Sequence, residues 1–72
     1  MLSEVIQRAH ACVKREDWTR AWPLINEALN EEPDRAESLF LMGATMRAMG
    51  NLGLASQLLR RALAQEPKQV NL

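Results

Sequence analysis

The sequence predicts an all-α fold: four helices arranged as two copies of one helix–turn–helix unit. Three observations predict it. The 72 residues contain no tyrosine and few β-branched side chains, while Ala, Leu, Met, Arg, Gln and Glu, all strong helix formers, dominate. Apolar residues recur at helical spacing in four separate segments. Finally, "ALNEEP" at 28–33 returns as "ALAQEP" at 62–67, 34 residues later.

The first helix is expected from about Ser3 to Arg15. Val5, Ala9, Cys12 and Val13 form its stripe, and Ser3 can cap its start with Glu4 in the first turn. The second is expected from about Arg20 to Glu31, with Ala21, Leu24, Ile25, Ala28 and Leu29 on one face. Pro23 lies inside that pattern. It has no N–H to give and its ring crowds the preceding turn, so the helix should start late, with Thr19 as N-cap, or bend. Gly53 is the equivalent cap in the second unit.

The third helix is expected from about Arg35 to Met49. Asp34 and Glu37 have the spacing of an acidic capping box, Leu39, Met42, Gly43 and Met46 form the inner stripe, and Gly50 stands where a left-handed terminator belongs. The fourth is expected from about Leu54 to Gln65, carrying Ala55, Leu58, Leu59, Ala62 and Leu63. Pro33 and Pro67 act as stops, because each disfavours helical geometry in the residue before it. Small residues at Ala9, Gly43, Ala21 and Ala55 should let the paired helices approach closely, and Trp18 and Leu52 should lock the two hairpins near their turns. Trp22 reads as a core or semi-buried residue, with an exposed contact role as the alternative.

A shift of 34 residues superimposes the halves. Six pairs are identical: Ala21/Ala55, Leu24/Leu58, Ala28/Ala62, Leu29/Leu63, Glu32/Glu66 and Pro33/Pro67. A helix–turn–helix repeated with this period resembles the tetratricopeptide repeat family. In the second half the resemblance is carried by Leu39, Met42, Gly43, Met46, Ala55, Leu59, Ala62 and Pro67, with the turn Met49-Gly50-Asn51. In the first half it is carried by Val5, Ala9, Cys12, Ala21, Ile25, Ala28 and Pro33; Arg8, Glu16 and Pro23 depart from the family pattern. The resemblance implies one domain over residues 1–72, with repeats at about 2–35 and 36–69 and a tail at 70–72. It further implies four antiparallel helices in a short right-handed solenoid with no dedicated capping helix.

Bulk properties narrow the function. A single small domain buries only about 60% of its unfolded surface, so its stability is marginal. Nine basic and nine acidic side chains cancel, which gives no general attraction to nucleic acid or anionic lipid. Their placement is uneven: residues 1–35 hold five basic against seven acidic groups, net −2, and residues 36–72 hold four against two, net +2. One cysteine, Cys12, permits no internal disulfide and fits a reducing compartment. The first ten residues lack the apolar core of a secretion signal, and no stretch approaches the roughly 20 apolar residues of a membrane span. The expectation is a cytoplasmic protein with no nucleic acid and no membrane among its partners.

Catalytic chemistry finds little to use. His10 and Cys12 are the only soft ligands, and two helical residues apart they point in different directions, so no metal or other cofactor is expected. The glycines serve turns and a close helix contact, with no phosphate-cradling loop, and the carboxylates cluster at helix ends where caps and dipoles account for them. The expectation is therefore a non-enzymatic interaction module. A small enzyme using His10 and Cys12 is the weakest alternative.

The family resemblance implies a concave groove lined by the first helix of each unit. The candidate groove residues are Ile6, His10, Val13 and Lys14 in the first repeat and Glu37, Phe40, Ala44 and Arg47 in the second. Phe40 packing between the repeats is the alternative for that residue. With no third repeat after "KQVNL", helix four should also leave Leu58, Leu59 and Leu63 as an uncapped docking face. The partner is thus a protein or peptide in the groove, or a partner or second copy, head-to-tail or swapped, on helix four. A second reading makes the chain the N-terminal module of a longer bacterial enzyme or secretion component.

Overall fold

A computed structural model describes residues 2–65, and among them there are four α-helices and no strand. They are α1 (Leu2–Lys14), α2 (Trp18–Glu31), α3 (Ala36–Ala48) and α4 (Leu52–Gln65). Pro67 and the tail 70–72 lie outside the described residues.

The helices form two hairpins, α1 on α2 and α3 on α4, joined through α3, which also packs on α1 and α2. Among the described residues α4 packs on α3 alone. This places α3 at the centre, and eight of its residues are buried: Ala36, Ser38, Leu39, Leu41, Met42, Gly43, Thr45 and Met46. The other three helices bury three each, in agreement with their one-sided apolar stripes. Thr45 satisfies its hydroxyl by donating to the Leu41 carbonyl at 2.9 Å. The Ser38 hydroxyl is buried without a partner.

The two hairpin turns are built alike. The Glu16 and Asp17 N–H groups donate to the Val13 and Cys12 carbonyls at 3.0 and 2.8 Å, and Gly50 and Asn51 donate to Arg47 and Met46 at 3.1 and 2.8 Å. These crossed bonds close a helix end around one left-handed residue. That residue is Gly50 (φ +88°) in the second turn, as expected, but Glu16 (φ +60°) in the first, where a side chain strains the backbone. The residue after it then caps the next helix. Asp17 Oδ1 accepts from the Arg20 N–H at 3.4 Å, and Asn51 Oδ1 accepts from the Leu54 N–H at 3.3 Å.

Several expectations are corrected here. Thr19 and Gly53 are not the caps; α2 and α4 each begin two residues earlier than predicted. Pro23 sits inside α2, past its first turn. The bond it cannot make is to the Thr19 carbonyl, and Thr19 is exposed, so water can satisfy that oxygen. The Asp34–Glu37 capping box does not form: Arg35 is the residue before α3, with no side-chain cap. Asp34 instead accepts from Arg61 of α4 at 2.6 Å, and Glu37 accepts from Arg35, which also reaches Glu32. The hydrogen bonds that Arg35 donates to Glu37 and then to Glu32 hold its guanidinium pKa above the ordinary value. Trp18 is half-buried, but Leu52 is 62% exposed and locks nothing.

Gly43 marks a close approach of α3 and α4. A Cβ placed there would lie 2.9 Å from Leu59 Cδ2 and 3.5 Å from the Ala55 carbonyl oxygen, so α3 and α4 meet through hydrogen alone. Ala9 is its counterpart in α1 and is fully buried.

Candidate docking strip on α3 and α4

Six large hydrophobic side chains are exposed among the described residues: Trp22, Phe40, Met49, Leu52, Leu54 and Leu63. Five of them belong to the α3–α4 hairpin or its turn. Exposure alone is common; what distinguishes Phe40 and Leu63 is that they border one concave surface. Phe40, Ala44, Arg47, Ala48 and Leu59 line a groove of about 480 Å³. Phe40, Leu59, Ala62 and Leu63 line a second, of about 180 Å³. Sharing Phe40 and Leu59, the two form a continuous strip.

The local reasons are sequential. Phe40, Ala44 and Arg47 follow at i, i+4 and i+7 on one face of α3, where Phe40 and Arg47 are exposed and Ala44 half-buried. Leu59 and Leu63 are likewise one turn apart on α4, and Ala62, 1% exposed, forms the floor between the helices. Arg47 is exposed, and among the described residues no carboxylate lies within 4 Å of it. The strip is therefore apolar with one cation at its edge.

This arrangement merges two faces that the sequence suggested were separate. Phe40, Ala44 and Arg47 come from the expected groove; Leu59 and Leu63 come from the expected uncapped face. Leu58 does not join them, because it is 9% exposed and belongs to the core. Glu37 is exposed and occupied with Arg35. In the first unit, Ile6 is 6% exposed and packed in the core, so it offers no surface to a ligand. Val13 is half-buried against the core, and His10 and Lys14 are exposed; none of these four lines the strip. Ala62 was missed as a site residue, although its alignment with Ala28 marks it as a close-contact position.

A further groove lies on the first hairpin, lined by Arg8, Ala11, Cys12, Thr19, Arg20, Pro23 and Leu24. Cys12 is a half-buried free thiol packed against the core. Among the described residues no three His, Cys, Asp or Glu side chains converge as a metal site, and no helix is long and apolar enough to cross a membrane. Compared with family models, with curated proteins and with solved structures, the chain finds no match.

Proposed function

We propose that the chain is a non-catalytic protein–protein interaction module of two tetratricopeptide-type repeats, and that the strip across α3 and α4 is where its partner docks. The observation that carries this reading is the strip itself: Phe40 at 39% and Leu63 at 50% exposure, with Leu59 and Ala62 between them, in a domain with little core to spare. Fully burying side chains of this size is worth roughly 1.5–3 kcal/mol each, so a covering surface would gain affinity there. The 34-residue repeat supports the solenoid part of the reading.

Site-specific photocrosslinking tests it. A benzophenone amino acid in place of Leu63, in cells of the source organism, is expected to give one discrete adduct with another protein. The same group in place of exposed Glu27, outside the strip, is expected to give none. Equal labelling from both positions, or none from position 63, would remove the proposal. If the adduct proves to be the downstream part of the same polypeptide, the strip is an interdomain seat and the chain is a module of a longer protein.

A further inference from the structure

The 34-residue register allows the two hairpins to be compared position by position. Residues buried in α1–α2 but exposed or half-exposed in α3–α4 mark the surface that a following hairpin would cover. They are Ile6 against Phe40 and Ile25 against Leu59, with Leu29 and Leu63 beside them. In the first hairpin these side chains are shielded because α3 packs on α1 and α2. The strip is thus the same surface, one repeat later, with no cover among the described residues.

The reverse comparison marks the opposite face. Residues buried in α3 but exposed in α1 are those that a preceding hairpin covers. Ser38, Leu41, Met42 and Thr45 are buried, and their counterparts Glu4, Gln7, Arg8 and Ala11 are exposed. The molecule therefore contains the surface that fits such a strip, a stripe of serine, leucine, methionine and threonine on one helix. It also carries, on its own outer face, a version in which three of the four are replaced by an acid, an amide and a base.

Resting on the reading of the strip as a docking surface, we infer that its occupant is an amphipathic partner helix with an uncharged stripe of the α3 kind, and that Glu4, Gln7 and Arg8 prevent a second copy of the chain from taking its place head-to-tail. Seating the α1 face on Phe40, Leu59 and Leu63 would strip water from two charges and an amide with no carboxylate or other partner on the strip to receive Arg8 beyond Arg47, itself a cation. Arg47, the one charge among the described residues lining the strip, can offset Glu4 alone, so burying Arg8 and Gln7 there still opposes association. A partner helix with this uncharged stripe buries no charge and repeats a contact the molecule already makes. The chain thus adds one partner helix and does not polymerise.

The test converts the α1 face into the α3 face. The full chain carrying Glu4→Ser, Gln7→Leu, Arg8→Met and Ala11→Thr is compared with the native chain by sedimentation equilibrium, with circular dichroism as the check on folding. The native chain is expected to remain monomeric, and the variant to at least double its weight-average mass as concentration rises. Adding Leu63→Glu to the variant is expected to return it to monomer. Arg8→Met alone, less disruptive, should show the same trend to a smaller degree and serves if the fourfold variant does not fold. A native chain that itself associates through the strip overturns the inference, as does a folded variant that stays monomeric. Neither result bears on whether position 63 crosslinks to a partner protein, so the docking reading fails or stands separately.

Discussion

In the first hairpin Ile6 and Ile25 are 6% and 1% exposed; in the second their counterparts are Phe40, 39% exposed, and Leu59, half-buried. The backbone devices of the two hairpins are nevertheless the same, down to the crossed bonds at the turn and the Asp or Asn that starts the second helix. One repeated set of backbone devices thus appears twice, once in a hairpin that a following helix packs against and once in a hairpin that none of the described residues follows. What differs is the company each hairpin keeps, and that decides which apolar residues are core and which are available for binding.

The comparison can be broken first by truncation. Ile25→Ala should destabilise the chain by about 3 kcal/mol, because it opens a cavity in a filled core, while Leu59→Ala should cost about 1 kcal/mol. Urea unfolding of the two variants checks this. Equal losses would mean that the α3–α4 face is as well covered as the α1–α2 face.

Next in size is the helix crossing. Gly43→Val should cost about 2 kcal/mol, since a branched side chain must push Leu59 and then the α4 backbone aside. Ala9→Gly in the first hairpin, where a Cβ already fits, should instead cost about 1 kcal/mol through helix propensity and lost packing. The two variants separate a crossing that needs glycine from one that does not.

The turns give a smaller effect of opposite sign. Glu16→Gly should stabilise the chain by about 1 kcal/mol by relieving a left-handed non-glycine residue, and Gly50→Glu should destabilise it by a similar amount. Thermal melts of the two variants, moving in opposite directions, would confirm that the turns are equivalent. The smallest change is expected at Ser38. Ser38→Ala removes a buried hydroxyl that has no partner, so stability should be unchanged or rise by up to about 1 kcal/mol.

Much of the fold was legible in the sequence for physical reasons. Periodicity located all four helices, and Gly50 terminated α3 because the chain there needs a positive φ. Helix starts were less legible. Pro23 argued for a late α2, but on an exposed face the loss of one bond to Thr19 is tolerable, and Asp17 is a better cap than Thr19. Asp34 and Glu37 had the spacing of a capping box, yet arginines claimed both side chains; spacing cannot show a competitor 27 residues away such as Arg61. At the candidate site, single residues were found but not their grouping. Phe40 and Leu63 lie 23 positions apart on different helices and share one concavity. Ile6 was misplaced because its apolarity serves the core, on a hairpin that α3 packs against. The register that exposed the repeat held the needed signal, once burial was compared between its copies.

The central claim is that the strip repeats, on the second hairpin, the surface that α3 covers on the first, with no cover among the described residues. Supplying the cover tests this most directly. The chain through Gln69 can be joined to a second copy of residues 36–72, which keeps the 34-residue register and places another α3-like helix after α4. The measurement is the cost of Phe40→Ser, by urea unfolding, in the native and the extended chain. In the native chain it should be under about 1 kcal/mol, and in the extended chain it should rise to about 3 kcal/mol, the range for polar substitution or truncation of a buried side chain. An extended chain in which Phe40→Ser remains as mild as in the native protein would contradict the account.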